Sequence, residues 1–427
     1  MAVAALVGAA SPARAASLPS PGKPPGSRVA SGVEPGLESV LDRLTALAWK
    51  HQTRVAAARA RWVAARRHVP LVEQWADPRA AVGLGNIPSL GGPQLTVSQS
   101  IPWPGRLAIA GQEASDSAQV AWYGYLTVRD DVRGELRRDL AERYYLAAAT
   151  AIDRRAQQRD RDIAKVVATL YAVGKVPQAD LIRIQLRQAG LLADLTTLGQ
   201  ERDSNYAKLS WLLGAPAKAS LPPATQAPPQ PRIGATSGQL SRLGLASSPT
   251  VLGARAAQRA ARAKLALIRF DSLHPQSIDA GVSVGNDMAT KMEFLGASVG
   301  IPLPFVKPAR HREATAEAEE ALAAASLAAR QAQLDLEAQI QDLWYKIRSD
   351  DKLLALQHKA LEPEAVLALD TSRAAYEVGK TDLTTVLDRD AELAAVALRT
   401  ARLRADREEA LADLEQALGS PLPESKP

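Results

Sequence analysis

Short runs in which apolar and polar residues alternate occur in two parts of the chain. In residues 94–101 (QLTVSQSI) leucine, valine and isoleucine are separated by glutamine, threonine and serine, with Gln99 as the one exception. Successive side chains of a strand point to opposite faces, so this period of two predicts strands with one apolar and one polar face. The pattern predicts two strand pairs, at 79–102 and 277–302.

The composition of these strands fits the wall of a membrane pore. In residues 277–285 (SIDAGVSVG) and 294–301 (FLGASVGI) the apolar side chains are of modest size, and the opposite side is small and polar. This pattern is typical of membrane β-barrel strands with lipid outside and water inside. Four strands are too few to close a barrel, so several chains must share one wall, and cyclic symmetry favours a trimer with 12 strands.

Polar, Ala-rich sequence predicts long helices after each strand pair. About 67 residues at 1.5 Å each extend roughly 100 Å, which is enough to cross a periplasm. Each long segment ends at Val-Gly-Lys and is followed by a second helical stretch, so the chain contains two predicted helical hairpins, 106–213 and 309–418. Single helical segments, at about 37–67 and 250–271, are predicted before the strand pairs.

Three landmarks occur twice in the same order, which predicts a tandem duplication. Ile-Pro-x-Pro recurs at an offset of 200 positions, whereas Tyr-x-Val-Gly-Lys and Leu-Gly-x-Pro recur at 205, so the second copy contains a small insertion. The prolines of the first landmark are predicted to end a strand before a helix begins: Pro102, Pro104, Pro302 and Pro304. The second landmark supplies the predicted hairpin tips: Val173, Gly174, Lys175, Val378, Gly379 and Lys380.

The predicted organisation is one intertwined architecture of two repeats. Residues 1–15 are interpreted as a signal peptide, because a short apolar run precedes Ala-Arg-Ala. The first repeat covers 36–213, a Pro-rich linker covers 214–238, and the second repeat covers 239–421.

Composition narrows the function classes. Apolar residues are 46% of the chain but aromatic residues only 4%, which favours long, closely packed helices over a thick globular core. The 52 basic and 46 acidic residues are interleaved, so no nucleic-acid partner is expected. There is no cysteine, the five histidines are dispersed, and no nucleophile, base and oxyanion arrangement is present. No catalytic residue, metal site or cofactor is therefore predicted.

The order and spacing of these landmarks resemble the TolC-like outer-membrane efflux proteins over about 36–421. The resemblance implies a mainly α fold with a small β part, in a homotrimer. Long helical hairpins would form an α-barrel in the periplasm, and four strands from each protomer would form a 12-stranded barrel in outer-membrane lipid. A periplasmic adaptor protein and an inner-membrane pump of the RND type are the implied partners, and the hairpin tips are the implied adaptor contacts.

The stretch SQSIPWPGRLAIAGQEA looks closest to the heavy-metal cation-efflux branch of this family. The alternative cargoes are drugs or, through type I secretion, proteins. Two other classes stay open: a periplasmic coiled-coil scaffold whose strands never meet lipid, and an Ala-rich secreted enzyme of unrecognised chemistry.

The resemblance also implies a periplasmic gate beside the second tip. Tyr376 matches the family's tyrosine before Val-Gly, Asp388 matches one aspartate, and Asp180 matches the aspartate after the first tip. Thr381 stands where the best-known members have a gating arginine, and Thr385 where they have another aspartate, so their ion-pair network is not expected here. Three copies of Asp388 facing a narrow lumen would favour cations. The alternative is that these are ordinary solvated or packing residues.

Overall fold

A computed structural model describes residues 37–84, 93–214, 221, 231, 233–287, 292–302 and 308–422. The predicted signal peptide 1–15, most of the linker 214–238, and Pro304 lie outside the described residues.

The first half of the chain consists of four helices and two strands. They are α1 (Leu37–His51), α2 (Thr53–Val72), β1 (Arg79–Leu84), β2 (Pro93–Pro102), α3 (Arg106–Ala172) and α4 (Gln178–Leu213). The second half repeats this order with one interruption. It consists of α5 (Ser237–Ser247), α6 (Pro249–Leu273), β3 (Ser277–Asp287), β4 (Met292–Gly300), α7 (Pro308–Leu356), a π-helical segment (Gln357–Leu361), α8 (Glu362–Glu377) and α9 (Leu383–Leu418).

The helix predicted at about 37–67 is divided at Gln52 into α1 and α2, so the prediction of one segment there was wrong. The helix predicted at about 250–271 is α6, and α5 precedes it across a second break at Ser248. Gln52 and Ser248 both have an extended backbone. Ser248 is followed by Pro249 at the first position of α6, where a missing N–H costs nothing. The long helix predicted in the first part of the hairpin 309–418 is also not one regular α-helix, because the π-helical segment divides it.

Glycines from the Leu-Gly-x-Pro landmarks pack against these two breaks. Gly214 ends α4 at φ +60° and Gly419 ends α9 at φ +67°. A Cβ on Gly214 would lie 2.7 Å from Cβ of His51, and one on Gly419 would lie 2.4 Å from Cδ of Pro249. The landmark therefore recurs because each return helix must end with a left-handed residue that has no side chain.

The four strands form one antiparallel sheet in the order β1-β2-β3-β4. The register aligns residues of like character across the whole sheet. One row contains Val82, Leu95, Val284 and Leu295, and the next row on the opposite face contains Ala81, Thr96, Ser283 and Gly296. The outer members of the apolar row, Val82 and Leu295, are 71% and 77% exposed. The sheet thus has one exposed apolar face and one small, polar face.

The helices bury three separate apolar clusters. The first lies among α1, α2, α3 and α4 and includes Leu44, Leu136 and Leu213. The second lies among α5, α6, α7 and α9 and includes Leu240 and Ile340. These two clusters are equivalent in the two halves of the chain, and the third lies near the hairpin tips.

Candidate functional site

Both helical hairpins turn at a glycine with a left-handed backbone. Gly174 has φ +72° and Gly379 has φ +73°. At the first tip the Lys175 N–H donates to the Leu170 carbonyl at 2.9 Å, and at the second the Lys380 N–H donates to the Ala375 carbonyl at 2.8 Å. These bonds satisfy carbonyls that a helix end leaves free.

The tips also present apolar side chains to solvent. Val173 is 64% exposed and Val378 is 68% exposed, each directly before the glycine of its turn. Lys175 and Lys380 are exposed beside them. The two tips therefore offer matching small surfaces, each with one apolar and one basic side chain.

Two of the predicted gate residues lie near each other beneath the tips. Tyr376 of α8 is only 6% exposed, and its hydroxyl has no hydrogen-bond partner among the described residues. Burial raises the pKa of Tyr376, and the negative charge of Asp180 adds to this effect. Asp180 lies in the first turn of α4, where its carboxylate is 3.5 Å from Nη1 of Arg183. Arg183 also donates to the Thr384 hydroxyl of α9 at 2.8 Å.

The other predicted gate residues are arranged differently. The N–H of Thr385 donates to Oδ1 of Asp382 at 2.8 Å, and its hydroxyl donates to the same oxygen at 2.7 Å. These bonds lower the pKa of Asp382 and cap the N-terminus of α9. Thr381 is half-buried in the turn before this cap. Asp388 is exposed, and the described part of the chain gives it no hydrogen bond or ion pair with Tyr376 or Asp180.

A buried charge cluster above the tips was missed by the sequence analysis. Arg187 of α4 donates through Nε to Oδ2 of Asp160 at 2.9 Å and through Nη2 to Oδ2 of Asp390 at 2.8 Å. Arg159 of α3 also donates to Asp390. Both aspartate side chains are fully buried. The cluster ties the first hairpin to α9. Its members could not be recognised in the sequence, because the polar helices contain many arginines and aspartates.

Apolar packing lies between this cluster and the tips. Its buried residues come from α3, α4, α8 and α9: Ile163, Val167, Ile184, Leu369, Tyr376, Leu383, Val386 and Leu387. Tyr376 therefore belongs to the core of the tip region and does not project freely.

At the opposite end of the hairpins, the strand-to-helix junction is well defined in the first repeat. β2 ends at Pro102, and α3 begins only after Gly105, which has φ +86°. The Arg106 guanidinium then binds Asp271 of α6 through Nε at 2.8 Å and Nη2 at 3.0 Å. In the second repeat β4 ends at Gly300, two residues before Pro302.

The described residues contain neither a cluster of metal ligands nor a membrane-spanning helix. Within the described ranges, no group of three or more histidines and carboxylates is arranged to hold a metal ion. None of the helices in the part of the chain that the structure describes is both long enough and apolar enough to cross a membrane.

Comparison with known proteins agrees with this geometry. Residues 240–420 match the family model described as "Outer membrane efflux protein". The predicted resemblance to the TolC-like outer-membrane efflux proteins is confirmed. No curated protein sequence matches the chain significantly.

Solved structures share the TolC-like fold over nearly the whole chain. The outer membrane protein VceC from Vibrio cholerae is similar with a TM-score of 0.74 and 16% identity, over 90% of this chain and 97% of that one. A membrane protein from Pseudomonas aeruginosa gives 0.77 and 17%, over 91% and 92%. CusC, whose structures concern folding and transmembrane channel formation, gives 0.70 and 17%, over 95% and 99%.

Proposed function

We propose that the chain is the outer-membrane channel of a tripartite efflux system, a passive homotrimeric duct supplied by a periplasmic adaptor and an inner-membrane pump. One observation carries the proposal. An open, two-faced, four-stranded sheet stands at one end of helical hairpins whose longest helix has 67 residues, roughly 100 Å. A water-filled pore that continues through a long periplasmic tube requires both parts.

The edges of the sheet support assembly from several copies. Among the described residues β1 pairs only with β2, and β4 pairs only with β3, so both edge strands have unpaired backbone groups. In hydrocarbon such groups are too costly to leave unpaired, and closure into a barrel is the way to satisfy them. Three copies give 12 strands with the apolar rows facing lipid and the small, polar face lining the pore.

The helical end supports contact with an adaptor. Exposed Val173 and Val378 would lose their contact with water when a partner binds, which favours docking at the tips. Two tips from each of three protomers would present six such contacts. In this arrangement the two repeats form one intertwined duct wall, not independent domains.

The charge of the second hairpin supports a cation cargo, with heavy-metal ions as the proposed class. Asp388 is exposed on α9 and forms no ion pair among the described residues, so three copies around a narrow lumen would attract cations. Tyr376 and Asp180 would form the neighbouring wall of the gate, with Thr381 and Thr385 in the turn and cap that position α9.

Conductance of the purified trimer in planar bilayers tests the proposal. Wild type should give large, long-lived, cation-selective steps, and Asp388→Ala should lower cation selectivity severalfold. Glu392→Ala is the matched control, because Glu392 is an exposed carboxylate one turn away that is already paired with Arg389 at 2.6 Å. A protein that gives no conductance steps would refute the channel, whereas unchanged selectivity in Asp388→Ala would refute only the role of Asp388. Metal sensitivity of a deletion strain then tests the cargo.

A further inference from the structure

The long helix differs between the two halves of the chain. In the first half α3 continues without a break for 67 residues. In the second half α7 and α8 are separated by the π-helical segment 357–361. The landmark offset grows from 200 to 205 between the strand–helix junction and the tip, so the second half has extra residues in this interval. A π turn holds one residue more per hydrogen bond than an α turn, and therefore absorbs part of such an insertion.

Pro363 explains why the wide turn lies where it does. Proline has no N–H, and its ring would clash with the carbonyl four residues earlier in a regular helix. Directly before it, the Glu362 N–H donates to the Gln357 carbonyl, five residues earlier. Kinks in helices occur at proline and at π-bulges, and this segment combines the two.

Below this segment, α8 has no polar attachment to its neighbours. Among the described residues, no side chain of 363–377 forms a hydrogen bond or ion pair with another helix. The hydroxyls of Thr371 and Ser372 return to carbonyls of their own helix. Arg373 interacts with Asp162 of α3 only as a charge at a distance. Helix α8 is therefore held against its neighbours by apolar contacts, which have no directional preference.

The π-helical segment before α8 and the neighbouring helix α9 are both held by polar contacts. At the upper end, Nη2 of Arg404 on α9 lies 2.6 Å from Nε2 of His358, which holds the π-helical segment against α9. Near the lower end, α9 itself is fixed to the first hairpin, because buried Asp390 binds both Arg159 and Arg187. The π-helical segment and α9 are thus anchored by polar contacts, while α8 is not.

One unpaired polar atom lies in the π-helical segment before α8, and another lies near the end of α8. The side-chain oxygen of Gln357 and the hydroxyl of Tyr376 are buried without a hydrogen-bond partner among the described residues. A buried polar atom without a partner is costly, so a second orientation of α8 that gave either atom a partner would recover that cost.

We propose that α8 is a gate arm that pivots about the π-helical segment 357–361 while α9 stays attached to the first hairpin. Pivoting moves Tyr376 and the tip at Val378 away from Asp180. The inference rests on the proposed function only in assigning the tips to the periplasmic end of a channel. Only α8 moves, and α9, the other helix of the second hairpin, keeps its place.

Hydrogen exchange by mass spectrometry on the full-length trimer in detergent tests the arm directly. The duplication supplies an internal control, because residues 157–172 of α3 correspond to residues 362–377 at the offset of 205. Amides of 362–377 should exchange about tenfold faster than those of 157–172. Equal rates in the two segments would overturn the proposal, whether or not the protein conducts ions.

Removal of the pivot tests its role in opening. Deletion of Ala360 combined with Pro363→Ala should restore an uninterrupted helix, slow exchange in 362–377 to the rate of its counterpart, and lower the open probability in planar bilayers about tenfold. Pro363→Ala alone keeps the chain length and should move both quantities in the same direction, so it decides the question if the deletion variant does not assemble. Unchanged opening in an assembled variant with slowed exchange would overturn the gate arm but leave the channel intact. Wild type that never conducts would instead refute the proposed function.

Discussion

Arg187 of α4 joins the two buried aspartates near the tips, Asp160 of α3 and Asp390 of α9. It donates to Asp160 at 2.9 Å and to Asp390 at 2.8 Å, and both carboxylates are fully buried. In Arg187→Met the apolar part of the side chain remains, but all of these bonds are lost. Two buried carboxylates would then face one guanidinium, that of Arg159.

The expected cost is that of an uncompensated buried charge. Removal of one member of a buried ion pair costs about 3–5 kcal/mol, which corresponds to about 10²- to 10⁴-fold easier local opening. The cost depends on pH. Burial raises the pKa of Asp160, Arg187 opposes this rise, and Asp390 adds to it. Without Arg187 the pKa of Asp160 rises further, so the penalty is largest above the folded-state pKa and declines as pH falls towards the unfolded value near 4.

Hydrogen exchange of peptides that contain Asp160 measures this free energy, at about pH 7.5 and about pH 4.5 after correction for intrinsic rates. The double variant Arg187→Met with Asp160→Asn leaves Asp390 paired with Arg159 and should recover more than half of the loss. Arg202→Met, at an exposed arginine of α4 that lies 3.6 Å from Asp203, should stay within about twofold of wild type. The reasoning fails if the single variant behaves like this control, or if the second substitution makes it worse.

Three further changes test separate parts of the structure. Gly134→Ala would place a Cβ 2.3 Å from Oε1 of Gln416, which can move away only by giving up its hydrogen bonds to Arg138 and Asp131, and should cost about 1 kcal/mol in thermal unfolding. Gly124→Ala meets open space and should stabilise by about 0.5–1 kcal/mol. Burial raises the pKa of Asp130 to about 6, so Asp130→Asn should stabilise the fold by about 1–3 kcal/mol at about pH 7.5 and by much less at about pH 4. Val97→Lys on the apolar face should cost about 2–4 kcal/mol and reduce the heat-resistant trimer in outer membranes, while Ser98→Lys on the polar face should not.

The sheet could be predicted because its signal is local and strict. A period of two survives wherever one face must be apolar along the whole strand, and the register aligns Leu95 with Val284 as that rule requires. Even the exception has a local reason, since the side-chain amide of Gln99 donates to the Ala76 carbonyl at 2.6 Å, just before β1. The tips were predictable for a similar reason, because Gly174 and Gly379 occupy backbone positions that favour glycine.

The breaks within helices were less accessible. Gln52 divides α1 from α2, and neither proline nor glycine lies beside it, so the sequence contains no local signal that predicts the break. The reason is tertiary: Gly214 at the end of α4 packs against His51 at the break. The π-helical segment had a signal in Pro363 and in the changed offset, but an insertion can be absorbed anywhere between two landmarks.

The charged residues of the site were the least predictable, and the reason lies in how this fold is specified. Its long helices have few large side chains, and an alanine-lined contact alone would tolerate a slip of one turn, about 5.4 Å. Between α3 and α9 the register is instead set by ion pairs, such as Arg137 with Glu408 at 2.6 Å and Arg402 with Glu142 at 2.5 Å. A slip would separate both pairs, and the largely buried Arg137 and Glu408 would then lack partners, which costs more than the lost alanine contacts. Charge pairing across helices therefore performs the task that large apolar side chains perform in a globular core. Such pairing cannot be deduced from the periodicity of either helix alone, because every polar face offers several arginines and carboxylates at equivalent spacing.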